Sequence, residues 1–491
     1  MPTMAIAEVI STLRDDYEAK LTELAKWCRE QNAESLAIQV ETWAHQPSPR
    51  YTYVFGLPRQ AEYLDTTLQK AAGDHDIDAD VLHQWKSRFQ QLRRDRASAL
   101  FQLAEEAAQA GAASQALTLA NEALREDPDH AAARKLFGYV RQNDEWLTTY
   151  EQAKTKAGQI WDKRFGWIAK EDLPRYESGQ RRNRSLWVSA ERDAQIHRNI
   201  DNGWRVQTEH FAITTNHSLE AGVALGERLE SLYEVWRHVF ADYYLSAGQI
   251  KGSFARGKLS SRRLKFRVMY FATEDDFRRV LARELPTDVK TTGVYLTHRK
   301  TSYFYHATPE DPSTQIHEAT HQLFQEMLGR TQLEPGREAN FWLVEGIACY
   351  MESLREHEPE SAGEPSYWTT GGSDATRLQD ARYYLFRESF QEPLADLSAL
   401  GRTQFQRHPH IRRVYAQGAA LADMLMHAAD GTYRQALMAM LTGLYQGRGT
   451  SLSQLTEQSY AALDELYVKH MEATKTNGEH VGLEAAISPA R

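Results

Sequence analysis

The sequence predicts an α+β fold with three parts: a mostly helical N-terminal region, a tryptophan-rich connector of short strands, and a domain in which a small mixed sheet precedes a set of helices. Three observations carry this prediction. Apolar residues recur three and four apart up to about residue 95, the spacing of amphipathic helices. Five of the eleven tryptophans fall between Trp146 and Trp204, set among polar turns. From about residue 206 strand-like segments come first and long helical ones afterwards, the order expected of an α+β domain.

The elements follow in order. Residues 1–95 read as helices, among them "LRDDYEAKLTELAKWCREQ" and "ADVLHQWKSRFQQLRRDR". The proline-containing stretch from Gln46 to Gln60 reads as a break between them. Residues 96–145 carry small residues at helical spacing (Ala104, Ala107, Ala116, Ala120, Ala123), a separating Gly111 and a closing "DPDH". This segment resembles one tetratricopeptide unit, whose period is about 34 residues. It is either part of an array that binds a protein partner or a plain helical hairpin packed on the next domain. Residues 146–205 form the connector, with Trp146, Trp161, Trp167, Trp187 and Trp204 read as rings packed by short hairpins. A carbohydrate-stacking surface is the alternative there. Residues 206–470 begin with the strand "HFAITTN", continue through a long amphipathic helix, and reach a second strand, "LKFRVMYFA", and a second helix, "EDDFRRVLAREL". "GVYLTHRKTSYFYH", Gly293 to His306, reads as paired strands turning near Arg299. Residues 471–491 are expected to be a disordered tail.

Composition narrows the function classes. A chain of 491 residues, 42% hydrophobic and 25% charged, is expected to form two to four soluble globular domains. A net charge of −9 argues against nucleic acid as the main partner. The basic stretch from Lys251 to Arg267 reads as a solvated loop leading into a strand, with a polyanion site as the alternative. Two cysteines, Cys28 and Cys349, make no disulfide framework, and Cys349 lies in an apolar run as a small core residue would. There is no run of 18 apolar residues, so no transmembrane segment is expected. The first residues lack a basic stretch followed by an apolar one, so the chain as written is expected to be cytoplasmic. An exported chain whose leader had been removed would read the same.

The chemistry begins at "IHEATHQLF", Ile316 to Phe324. On a helix His317 and His321 lie one turn apart on one face, as two imidazoles sharing a metal ion must. Glu318 is rotated by about 100° from His317, beside the metal position, where a general base for water is needed. A bare His-Glu-x-x-His arises by chance in a chain of this composition about one time in twenty, so its surroundings matter. Asp311, Pro312 and Ser313 signal a helix start, and Ile316, Thr320, Leu323, Phe324 and Met327 make an apolar stripe. Polar groups on such a helix need a partner: a metal, or solvent if this is an ordinary polar face.

A catalytic zinc needs a third protein ligand. "NFWLVEGIACYMES", Asn340 to Ser353, places Glu345 amid Trp342, Leu343, Ile347, Ala348 and Met351, where a ligating carboxylate is compensated and an unpaired one is costly. The spacer of 345 − 321 − 1 = 23 residues is long enough to turn back antiparallel. Glu352, two turns after Glu345, either braces a ligand or makes a surface salt bridge. His408 and His410 have a spacing that could bind metal but no neighbouring acid or cysteine, and read better as a loop.

"HEATH" followed by "WLVEGIACYME" resembles the gluzincin branch of the zinc metallopeptidases, which includes thermolysin and aminopeptidase N, and most closely bacterial members of the peptidase-MA-like clan. The resemblance covers about residues 206–470. It implies a zincin-like catalytic domain with an active-site helix and a helical C-terminal subdomain. It implies Zn2+ bound by His317, His321 and Glu345, with Glu318 as the catalytic glutamate. "VYAQGAALADML", Val414 to Leu425, is similar to a helix start in aminopeptidase N whose tyrosine stabilises the tetrahedral intermediate; that role falls to Tyr415. Two departures qualify it. The spacer before Glu345 is longer than in aminopeptidase N, and no Gly-x-Met-Glu-Asn segment offers an acid to a free amine. The expected activity is therefore internal cleavage of a peptide or protein, with the strand at Gly293, Val294 and Tyr295 presenting backbone groups to an extended substrate. The rival reading is a non-catalytic scaffold carrying a degenerate peptidase domain; a third is hydrolysis of a non-peptide amide or ester by the same site.

Overall fold

The computed structural model describes residues 2–44, 48, 50–60, 77–259, 264–285, 290–308, 310–358 and 365–474, and has the α+β composition expected. It divides into two compact units. The first comprises Met1–Gln152, His238–Ser261 and Arg355–Thr369; the second comprises Ala153–Arg237, Arg262–Leu354 and Thr370–Arg491. These limits differ from the expected domains. The expected connector is cut near its start, and two segments placed in the 206–470 domain belong to the first unit.

In the first unit, α1 (Pro2–Glu30) and α2 (Glu34–Ala44) bury Leu21, Leu24, Cys28, Val40 and Trp43 against Trp85 and Phe89 of α3 (Ala79–Ala110). Because α3 is continuous, the boundary expected at 95/96 falls inside one helix. It pairs with α4 (Ala113–Glu126) through Gly111, whose φ of +84° gives the left-handed turn and whose N–H reaches the Ala107 and Ala108 carbonyls. Ala104, Ala107, Ala116, Ala120 and Ala123 are all fully buried between the two helices, where small side chains permit close approach. The stretch read as a proline-containing break holds strand β1 (Tyr51–Phe55), in a three-stranded sheet with Tyr367–Gly371 and Arg355–His357. The first half of the basic stretch is helical too, within Ala247–Arg256, where a loop was expected; a capping box at Ser246 and Gln249 starts that helix.

The connector is a tandem of hairpins: β2 (Tyr139–Gln142) with β3 (Glu145–Thr148), β4 (Gln159–Asp162) with β5 (Gly166–Ala169), and β6 (Gln180–Asn183) with β7 (Leu186–Ser189). Each is followed by a short helix. Gly138, Gly158 and Gly179, at positive φ, precede the three hairpins at intervals of 158 − 138 = 20 and 179 − 158 = 21 residues. Trp146, Trp167 and Trp187 occupy equivalent positions on the second strands, opposite Arg141, Trp161 and Arg182. The strands expected from Trp146 thus start earlier, at Tyr139, and form a repeat.

The second unit is organised by a five-stranded mixed sheet in the order β11–β12–β10–β9–β8, formed by β8 (Trp204–Gln207), β9 (Phe211–Thr215), β10 (Phe266–Phe271), β11 (Gly293–Leu296) and β12 (Thr301–Tyr305). β10 runs parallel to β9 and β12, while β8 and β11 are antiparallel edges. Phe211, Ile213, Phe266 and Val268 point inward. Gly222 and Gly226 of α5 (Leu219–Val239) let that helix close on the sheet: a Cβ at either would lie 2.8 Å from a threonine methyl, of Thr215 or Thr208. Then come α6 (Ser313–Met327), α7 (Phe341–Met351), α8 (Thr376–Arg387), α9 (Ile411–His427), α10 (Arg434–Tyr445) and α11 (Tyr460–Ala473). α11 takes in residues 471–473 of the expected tail; the tail from 475 onward lies outside the described residues. Among the described residues no helix is long and apolar enough to cross a membrane.

Candidate metal centre

Three helices build the site. α6 is tied to the sheet by Gln322, whose Oε1 accepts from the Ser302 hydroxyl at 2.8 Å and whose Nε2 donates to the Arg267 carbonyl at 3.3 Å. Its opposite face carries His317 and His321, with ring centroids 4.7 Å apart. Every residue of α7 is buried, Glu345 included, at 7% exposure. α9 crosses α7 at a glycine pair: a Cβ on Gly346 would lie 2.5 Å from the Gly418 carbonyl oxygen, and one on Gly418 would lie 3.2 Å from that of Trp342. Gly346 directly follows Glu345, and Gly418 stands three residues after Tyr415, so the backbone contact permitted by glycine also brings Tyr415 to Glu345.

The donor atoms converge. His317 Nε2 lies 3.1 Å from His321 Nε2 and 3.2 Å from Glu345 Oε2, and His321 Nε2 lies 3.8 Å from the same carboxylate oxygen. A tetrahedral ion with bonds of about 2.1 Å separates its ligand atoms by about 3.4 Å. Two imidazoles and one carboxylate at these separations fit zinc, and the set matches a catalytic type that leaves a position open. The electrostatics agree. Burial pushes the Glu345 carboxyl upward, but the two imidazoles hold it well below the usual range. Burial lowers the His317 pKa, yet hydrogen bonds to Cys349, Glu345 and Glu352 outweigh it and the net direction is well upward. The cage therefore favours a cation, for which a proton and a metal ion compete.

Glu352 braces this centre. Its Oε1 lies 2.8 Å from His317 Nδ1, and Arg377 of α8 donates to it twice, from Nε at 2.8 Å and Nη2 at 3.2 Å. A carboxylate only accepts, so Nδ1 carries a proton and Nε2 is left facing Glu345 and His321. Burial raises the Glu352 carboxyl; the Arg377 charge and His317 overcome this and bring it down to about 2. It is an ion pair, as one reading of the sequence had it, but a part-buried one in contact with His317. Cys349 is buried as expected, and its Sγ also stands 3.9 Å from His317 Nδ1. His317, Cys349 and Glu352 form a second group of metal-ligand type, but the guanidinium already neutralising Glu352 disfavours an ion there.

The remaining expected residues sort as follows. Tyr415 hydrogen-bonds Glu345; burial first, then the Glu345 charge, keeps its hydroxyl protonated far above its ordinary range. Glu318 Oε2 accepts the Tyr295 N–H at 2.8 Å. On β11 the Tyr305 N–H to Thr292 carbonyl bond fixes the phase of the ladder, so Gly293 and Tyr295 turn their backbone groups to the open edge. Val294 faces β12 instead, which corrects the expectation that all three offer backbone to a substrate. The Gly293 N–H and carbonyl are both engaged by the Thr291 hydroxyl. His408 and His410 belong to no metal-ligand cluster among the described residues; His408 pairs loosely with Glu392 at 3.7 Å. Nothing in the sequence singles out Arg377, an ordinary charge in an amphipathic helix. The glycine pair had a visible signal, a glycine directly after Glu345 and another three residues after Tyr415, but no indication that the two meet.

Sheet, helices and site together define an α+β chain with a centre of two part-buried histidines and one buried glutamate. No protein-family model, curated protein or solved structure matches the chain.

Proposed function

We propose that the chain is a zinc-dependent metallopeptidase of the gluzincin type that cuts within peptide or protein substrates. The observation that carries this reading is the convergence of His317 Nε2, His321 Nε2 and Glu345 Oε2 within 3.1–3.8 Å of one another. Zinc held there would supply a Lewis acid and lower the pKa of water at the open position.

The chain's own residues do the rest. Glu318 accepts the proton of the attacking water and passes it to the leaving amine. Tyr415, kept protonated, donates to the developing oxyanion. Glu352, held by Arg377, fixes the orientation of His317. Tyr295 receives an extended substrate along the open edge of β11, and Gly293 does so once substrate displaces the Thr291 hydroxyl from its N–H and carbonyl. A substrate carbonyl that takes the Tyr295 N–H displaces Glu318 from it, so strand pairing frees the carboxylate for proton transfer.

Elemental analysis tests the ligand assignment. One zinc per chain is expected, and it should be lost in His317→Ala and Glu345→Ala. Metal undiminished in folded variants overturns the assignment.

A further inference from the structure

The outer face of the five-stranded sheet, away from its buried side, holds a cavity of about 560 Å3. Arg205 of β8, Arg267 of β10, and His298 and Arg299 of the turn before β12 line it. No acidic side chain among the described residues does so. The rest of the lining is mixed: Gln207, Thr214 and Thr301 are polar, while Ala212 on β9 and Met269 on β10 give it an apolar patch.

Two of the three guanidinium groups have partners. Arg299 is paired with Glu284, outside the lining, and Arg267 donates to the Arg299 carbonyl. Neither Arg205 nor Arg267 has a carboxylate within salt-bridge reach among the described residues. β9 separates their strands, and the register sets Arg205 level with Met269, two residues along from Arg267, so the two flank the floor on a diagonal, roughly 12 Å apart at the backbone. Like charges around one concavity repel, and an anion between them relieves that repulsion. Arginine forks suit phosphate oxygens, and two cations outside any salt bridge among the described residues match the charge of about −2 on a phosphomonoester better than that of a carboxylate, although the Glu326 carboxylate also feels the Arg267 charge. The volume lies in the range of small-molecule sites, larger than a phosphate ion needs, and Met269 gives an organic body an apolar contact.

We propose that this cavity binds a small organic phosphomonoester, with Arg205 and Arg267 gripping the phosphate. The proposal does not rest on the metal-centre reading. Isothermal titration of the full chain with phenyl phosphate and, separately, with inorganic phosphate at physiological salt tests it. Phenyl phosphate is expected to bind with a Kd of about 1 mM or tighter and several-fold more tightly than inorganic phosphate. Arg205→Gln and Arg267→Gln should each weaken it at least about tenfold. The Arg205 side chain is exposed, so Arg205→Gln decides the question alone if Arg267→Gln does not fold. Absence of binding, or binding unchanged in Arg205→Gln, overturns the site. Equal affinity for the two ligands overturns the organic body as part of what is recognised.

Discussion

Replacing Glu352 by alanine removes three charge-assisted hydrogen bonds at once: one to His317 Nδ1 at 2.8 Å and two from Arg377 at 2.8 and 3.2 Å. The orphaned Arg377 side chain is 25% exposed, so water recovers part of its solvation. The loss of metal-free stability should therefore fall at the low end of the range for breaking a buried pair, about 3 kcal/mol. A His317 ring freed from its acceptor is less basic and less well oriented, which weakens zinc by about 10–100-fold, or roughly 1.4–2.7 kcal/mol. Glu352→Gln keeps one acceptor oxygen for His317 but loses the charge and the acceptor for Arg377 Nε, so it should cost less than about tenfold in zinc affinity while lowering metal-free stability. Competition with a chromophoric chelator gives the affinities, and urea unfolding in EDTA gives the metal-free stability. A folded Glu352→Ala protein that binds zinc within about twofold of wild type would falsify the bracing role.

Three further outcomes follow from the same geometry. Tyr415→Phe removes one donor and little volume, so kcat should fall about 100-fold with KM and zinc content unchanged; an unchanged kcat returns the tyrosine to packing against Phe405. Gly346→Ala should destabilise by about 2–3 kcal/mol, and more than Gly418→Ala, because its Cβ would sit 2.5 Å from backbone oxygen against 3.2 Å for the reverse; equal urea midpoints would refute the glycine crossing. Glu230 is pushed up by burial but more strongly down by hydrogen bonds from the His210 ring and backbone, so its folded pKa lies below 4.5. Its stabilising contribution is present above pH 4.5 and disappears as pH falls through the lowered value, so Glu230→Gln should flatten the acid limb of the stability curve. An unchanged acid limb contradicts it.

The parts of the fold that were legible are those with a local signal. The α6 helix starts at Ser313, beside the expected proline and aspartate, and Asp311 accepts from the Ser313 N–H and hydroxyl. β9 and β10 were readable because burial alternates along them, and the paired strands turning near Arg299 because β-branched and aromatic residues flank a polar turn. The hairpin repeat was equally local, yet Gly138, Gly158 and Gly179 escape a reading that follows the tryptophans alone. Of the site, the two histidines and Glu318 share one helix and are fixed by its periodicity. Glu345 is readable from the cost of an acid in an apolar run. Arg377, the Gly346–Gly418 contact and the side of β11 that Val294 faces depend on tertiary pairing. Arg377 meets Glu352 from 25 positions away and Gly418 meets Gly346 from farther still, and no local pattern encodes those meetings or the phase of the β11 ladder.

The central claim is hydrolysis by Glu318 at a zinc-loaded centre. The direct measurement is mass spectrometry of a peptide library, with free and acetylated N-termini, incubated with wild type and Glu318→Gln at matched zinc content. Wild type is predicted to cut internal bonds in both sets, and Glu318→Gln to hold its zinc and cut neither. Cleavage by both proteins alike, or by neither, contradicts the account; stepwise loss of single N-terminal residues abolished by acetylation contradicts internal cleavage.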